Sequence, residues 1–119
     1  MRARTLGLLL VCALAVTAFG AEKATVKGFL VDKMCASQHA AEGEKFGKMH
    51  KRECALMPDC VKSGYGVLTA DGKYLKFDAD GDKKAEAALK ASKKRDDLRV
   101  SVTGEQEGET IKVATLKLQ

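Results

Sequence analysis

Residues 65–77 read Tyr65-Gly66-Val67-Leu68-Thr69-Ala70-Asp71-Gly72-Lys73-Tyr74-Leu75-Lys76-Phe77. Two strand-forming runs, Tyr65 to Leu68 and Lys73 to Phe77, flank Ala70-Asp71-Gly72. Asp-Gly supplies the positive φ values that a tight antiparallel turn needs, so a hairpin is predicted here. Everything else in the fold is read outward from it.

On the N-terminal side, Thr25 to Met34 reads as a first strand. Val26, Gly28, Leu30 and Asp32 fall on one face and Phe29 and Val31 on the other, a pattern expected where a strand is buried on both sides. Gly28 in mid-strand suggests a bulge or a close backbone approach. Residues 36–53 are polar and helix-tolerant, with Ala40, Ala41, Phe46 and Met49 as apolar anchors; Gly43 and Gly47 weaken any helix there. Cys54 to Val61 reads as one or two helical turns, with Pro58 suited to the first turn of a new helix and Gly64 to its C-cap.

On the C-terminal side, Asp82 reads as the N-cap of a helix running from Lys83 to about Lys93. Ala85, Ala88, Leu89 and Ser92 form its narrow apolar face. A second hairpin follows. Leu98, Val100 and Val102 alternate with polar residues, and Ile111 and Val113 resume the alternation after Glu107-Gly108-Glu109. Leu116 and Leu118 are out of phase with them, which predicts a bulge near Ala114-Thr115 or burial on both faces. Five short strands with a helix between the third and fourth match the five-stranded Greek-key OB barrel; a small SH3-like barrel or an open α+β sheet are the alternatives. Closure is favoured because a chain this short has little else with which to cover sheet edges.

The N-terminus has the pattern of an export signal. Arg2 and Arg4 precede an apolar run from Leu6 to Phe19, and Ala18-Phe19-Gly20 places small residues before Ala21. The run is too short for a transmembrane helix. Cys12 follows Val11 inside the apolar run, so lipidation is not expected. Cleavage after residue 20 leaves a single domain of 99 residues, 21–119, placed in the periplasm or outside the cell. A domain of that size buries roughly two-thirds of its unfolded surface. Loss of Arg2 and Arg4 leaves 19 basic against 16 acidic residues, interleaved along the chain. There is no basic run of the kind that binds nucleic acid, and export also argues against such a partner. A monomer is expected.

One segment stands apart. Met34 to Cys60 holds all three cysteines of the predicted mature chain (Cys35, Cys54, Cys60), both histidines (His39, His50) and three of four methionines (Met34, Met49, Met57). Cys35/His39 and His50/Cys54 are i,i+4 pairs, which share a face on a helix. Thiolate and imidazole are ligands of zinc and copper, and four of them close a tetrahedral site. Cys35, His39, Cys54 and Cys60 are the expected ligands, with His50 in reserve; the nearby thioethers tilt the choice toward Cu(I). The competing expectation is a disulfide. Three cysteines allow one bridge and one odd thiol, and a bridge from Cys35 to Cys54 or Cys60 would tie the first strand to the insert and add roughly 3 kcal/mol. The segment lacks C-x-x-C-H and C-x-x-C, so covalent haem and thioredoxin-like chemistry are not expected.

Other features carry less. Asp78-Ala79-Asp80-Gly81-Asp82 has the look of a calcium loop, but Lys83 and Leu89 stand where Gly and Glu would be required, so a turn and a helix cap are expected. Tyr65, Tyr74 and Phe77 read as core rather than as a ligand-binding aromatic face. His39 or His50 beside a cysteine is the only hint of catalysis, with no oxyanion or orienting group readable, so the protein is not expected to be an enzyme.

Gly28-Phe29-Leu30-Val31-Asp32-Lys33-Met34-Cys35 with His39, then Cys54 and Cys60-Val61-Lys62-Ser63-Gly64, Asp71-Gly72-Lys73, and Val102-Thr103-Gly104 with Gly108-Glu109-Thr110-Ile111 resemble a group of small exported bacterial proteins of unknown function. That group runs G-x-x-x-D-x-x-C, a nearby His, a Cys pair before V-K-x-G, and a terminal V-T-G hairpin. The resemblance spans nearly all of the predicted mature chain and implies an OB-like fold and the Cys/His pattern. It implies no activity. The function expected is therefore binding of zinc or copper by the Cys/His cluster, with a disulfide-stapled structural or envelope-interaction domain as the alternative.

Overall fold

The computed structural model describes residues 22–119. The export signal expected at residues 1–20, with Cys12, lies outside them. The elements run β1 (Glu22–Asp32), α1 (Lys33–His39), a 3-10 turn (Ala40–Glu42), α2 (Glu44–Met49), α3 (Arg52–Ala55), α4 (Pro58–Ser63), β2 (Tyr65–Leu68), β3 (Tyr74–Phe77), α5 (Ala79–Ala91), β4 (Arg99–Glu107) and β5 (Thr110–Leu118). The five strands close in the order β1-β2-β3-β5-β4, antiparallel except where β3 meets β5. This is the OB-like barrel that the sequence predicts, with α5 between the third and fourth strands and the Cys/His insert between the first and second.

The predicted hairpin forms with its strands within a residue of expectation. Thr69 N–H donates to the Lys73 carbonyl at 2.8 Å, and Gly72 takes the positive φ of 89°. β1 is long enough to lie against two neighbours. Its first half pairs with β4 and its second half with β2, from Phe29↔Leu68 to Asp32↔Tyr65. Gly28 sits at the changeover, where a Cβ would run into the Leu68 carbonyl oxygen. The double-sided burial of β1 also holds. Leu30 joins the barrel core with Tyr65, Val67, Leu89, Val100 and Val102. Phe29 and Val31 face outward into a second cluster with Ala36 and Leu68, covered by Phe46 and Tyr74. The out-of-phase leucines of β5 have their explanation in a bulge: Thr103 pairs with Thr115 but Gly104 with Val113, so Ala114 is the extra residue.

Two expectations need correction. The first strand does not reach Met34. It ends at Asp32, whose carboxylate accepts the Cys35 N–H at 2.9 Å and so caps α1, placing Met34 and Cys35 in the first helical turn. Helix α5 is also longer than predicted. Its N-cap is Asp78, not Asp82; Asp78 Oδ1 accepts the Gly81 N–H and the Val113 N–H. Gly81, a poor helix former, sits in the first turn, where a Cβ would press on Val113 and Phe77. Asp82 instead accepts the Tyr65 N–H at 2.8 Å and pairs with Lys76 Nζ at 2.9 Å. The acidic run is therefore a helix cap and a hairpin tie, as the turn-and-cap reading expects.

Polar links fix the insert against the rest of the fold. Tyr65 donates its buried hydroxyl to the Ala55 carbonyl of α3 at 2.6 Å, while Tyr74 donates to the Val31 carbonyl at 3.0 Å, tying β3 to β1 beneath the insert. Arg52 Nε donates to the Leu89 carbonyl at 2.7 Å, satisfying an end carbonyl of α5, and the Arg52 N–H reaches the Arg95 carbonyl.

Candidate metal centre

The site lies where β1 gives way to α1. An acidic residue at a strand end is a good N-cap because its carboxylate meets the unsatisfied first-turn N–H groups. Asp32 does this with Oδ2 and leaves Oδ1 pointing inward. Cys35 follows at the third helical position, and His50 arrives from the C-terminal end of α2. Donor atoms of Asp32, Cys35 and His50 lie within 4.8 Å of one another. Asp32 is 0% and His50 4% exposed. Asp32 Oδ1 and His50 Nε2 stand 2.9 Å apart, yet the ring N–H direction misses the oxygen, and both atoms are left without a hydrogen bond.

That pair is the unusual feature of the molecule. A buried polar atom without a partner costs about 1–3 kcal/mol, and more if charged. Among the described residues these are the two buried side-chain polar atoms in that condition, and they face each other. Two buried donors at such a separation, with the Cys35 sulfur close by, have the spacing of neighbouring ligands around a small cation.

The surroundings set the charge states. Burial pushes the Asp32 carboxyl up, but the nearness of His50 and the Cys35 N–H outweighs it and holds the group below its ordinary range. Asp32 is thus a carboxylate at neutral pH. Cys35 is pushed up to about 12, by burial first and then by the Asp32 charge. Cys60 is raised for the same two reasons in the same order. Both thiols are therefore protonated at neutral pH.

Of the five residues singled out in the sequence, the structure brings Cys35 and His50 together. Cys60, buried in the first turn of α4, stands beside Asp32 and Cys35 but outside the tight group of three. His39 and Cys54 are not in it. His39 ends α1 and turns outward, where Nδ1 meets Glu42 Oε2 at 2.6 Å and the ring stacks on Phe46 at 4.6 Å. Phe46 also packs against the His50 ring, centroids 5.2 Å apart, so both imidazoles contact it while only His50 joins the centre. Cys54 is exposed on α3. The i,i+4 argument fails for His50 and Cys54 because they lie on either side of the break at Lys51; Cys35 and His39 do share α1, but the His39 ring is taken up by Glu42 and Phe46. Among the described residues all three cysteines are free.

Asp32 is the site residue that the search for sulfur and imidazole passes over. The sequence does carry a signal for it: a charged residue at an inward-facing place on a strand buried on both sides must have a partner. The methionines move the other way. Met34, Met49 and Met57 are all exposed, so no thioether joins the buried donors.

Among the described residues, no helix is long and apolar enough to cross a membrane. Compared with known proteins, the chain matches no family profile, no curated protein and no solved structure, so the likeness to small exported proteins rests on the quoted residues alone.

Proposed function

We propose that this chain is an exported, non-enzymatic zinc-binding protein, with Asp32 Oδ1, Cys35 Sγ and His50 Nε2 as the core ligands and Cys60 Sγ as the fourth. The observation that carries this reading is the buried, unbonded Asp32–His50 pair with Cys35 beside it. Zinc is favoured over copper by the donor set. One carboxylate, one imidazole and thiolates suit a borderline divalent ion in a tetrahedral site, whereas Cu(I) selects thiolate and thioether. The exposed methionines withdraw the support for copper. A binding role is favoured over catalysis because the Cys35 thiol is held protonated, the reverse of what a nucleophile needs. Export is supported by Arg2, Arg4 and the apolar run after them.

The test is metal uptake by the reduced, purified chain. One zinc per chain by elemental analysis is expected, with thiolate-to-metal absorption on cobalt substitution. Cys35→Ser and His50→Ala should abolish the absorption; His39→Ala and Cys54→Ser should leave it. A reduced, folded protein that takes up no zinc or cobalt overturns the proposal.

Cys60 beside Cys35 also supports a second reading, a disulfide between them. Such a bridge would span 25 positions, adding about 3–4 kcal/mol, and would remove the thiolates. Mass spectrometry of the exported chain, alkylated before and after reduction, separates the two. A mass gain in only one thiol before reduction favours the bridge.

A further inference from the structure

The barrel closes incompletely on one side of β5. With β4 the strand pairs all the way to Leu118, but with β3 it pairs at only two positions, Lys76↔Thr110 and Phe77↔Ile111. The next outward groups are met by a side chain and a loop: Asp78 takes the Val113 N–H, and its own N–H goes to the Ile111 carbonyl. Beyond that, Ala114 to Leu118 has no strand partner on this side among the described residues. The direction of the free groups follows from the ladder. Gln119 N–H bonds the Arg99 carbonyl, so by antiparallel alternation the N–H and C=O of Leu118 and Leu116 face away from β4.

They face a groove of about 530 Å3 between β5 and the end of α5. Ala91, Leu116 and Leu118 give it an apolar floor, and Lys93, Lys94 and Lys117 give it a basic margin. All three lysines are exposed, and none is in an ion pair among the described residues. An open strand edge is a template for another strand, and proteins that leave one usually blunt it. Here the lysines blunt it against one class of partner only. A second copy would bring its own basic β5 edge, with Lys112 and Lys117, against Lys93 and Lys94. An acidic segment would find opposite charge and matching backbone groups.

We infer that the β5 edge from Ala114 to Leu118 is a docking site for an extended, acidic peptide segment of another protein, which adds to the barrel as a further strand beside α5. Main-chain hydrogen bonds to Leu116 and Leu118 give the attachment, the apolar floor takes alternate side chains, and the lysines select for acid. This site is separate from the metal centre and does not depend on it.

The probe is a short fluorescent peptide alternating glutamate and valine, titrated into the isotope-labelled chain from residue 21 onward. Saturable binding is expected, with amide shifts at Leu116, Leu118 and Ala91 to Lys94. The same peptide N-methylated at alternate amides, which removes strand pairing without touching the protein, should fail to bind. Reversing Lys93, Lys94 and Lys117 to Glu should weaken binding by about tenfold or more. These lysines are exposed, so the fold survives the change. Equal binding of a lysine–valine peptide, undiminished binding of the N-methylated peptide, no binding of any peptide, or a concentration-dependent dimer that blocks the edge would each overturn the inference.

Discussion

Asp32 performs two tasks with its two oxygens, and they can be separated by substitution. Oδ2 caps α1 through the Cys35 N–H; Oδ1 faces His50. Asp32→Asn keeps an oxygen for the cap and removes the charge. It should stay folded and bind zinc at least about tenfold more weakly in a chelator competition. Asp32→Ala should in addition lose about 1 kcal/mol of apo stability as the cap goes, measured by urea unfolding. The ionisable groups also set how apo stability varies with pH. The Asp32 carboxyl is lowered on folding, so its contribution is present above its unfolded value near 3.8 and is lost as the solution is acidified through the lower folded value. The Cys35 thiol is raised from 9.0 to about 12, and Cys60, Tyr65 and Tyr74 are raised as well, chiefly by burial. Their contribution is complete below the unfolded thiol value and fades as pH climbs past it toward 12. Urea midpoints of the zinc-free, reduced chain should therefore fall below about pH 4 and above about pH 9. A midpoint that rises from pH 8 to 10 would contradict the burial of the neutral thiols.

At the scale of elements, α2 is what delivers His50, and it approaches β1 through a glycine. A Cβ at Gly47 would enter the Phe29 ring. Gly47→Ala should cost about 1–3 kcal/mol by overpacking, and it should also weaken zinc binding because α2 must lift away and take His50 with it. Urea unfolding of the variant checks the first effect and calorimetric zinc titration the second. The elements also divide cleanly into those that could be read from the chain and those that could not. The hairpin, the two-faced β1, Pro58 at the head of α4, Gly64 at φ 80° after it and the bulge at Ala114 were legible because each depends on local chemistry: turn geometry, alternation or a fixed dihedral. The start of α5 was misplaced because Asp78 and Asp82 are both good caps, and the choice is made by distant residues, Val113 and Tyr65. The centre was half legible. The clustering of cysteine and histidine pointed to the right segment. Helical spacing then selected His39, which Glu42 and Phe46 take up, and Cys54, which the break at Lys51 sets apart from His50, and a search for soft ligands passed over a carboxylate.

For the whole molecule, the question is what zinc does to a domain of this size. A ligand that binds only the folded state at a hundred times its dissociation constant adds about 2.7 kcal/mol. For a chain of about 100 residues that corresponds to a rise in Tm of about 10–20 °C. Excess zinc should produce such a rise in the reduced protein and EDTA should reverse it; Cys54→Ser should respond as the parent does, and Cys35→Ser should not respond. No metal-dependent change in Tm would mean that the buried donors do not hold an ion.

The tyrosines make this change visible without a label. The chain has no tryptophan and two tyrosines. One phenol is moored to α3 through Ala55, and the other packs on the outer cluster where Ala36 and Phe46 of the insert meet β1. Every strong near-ultraviolet chromophore thus stands at the seam between insert and barrel. The tyrosine dichroism of this protein is a reading of that seam alone: it should sharpen as the insert seats and flatten as it lifts, while the far-ultraviolet signal of the strands holds steady.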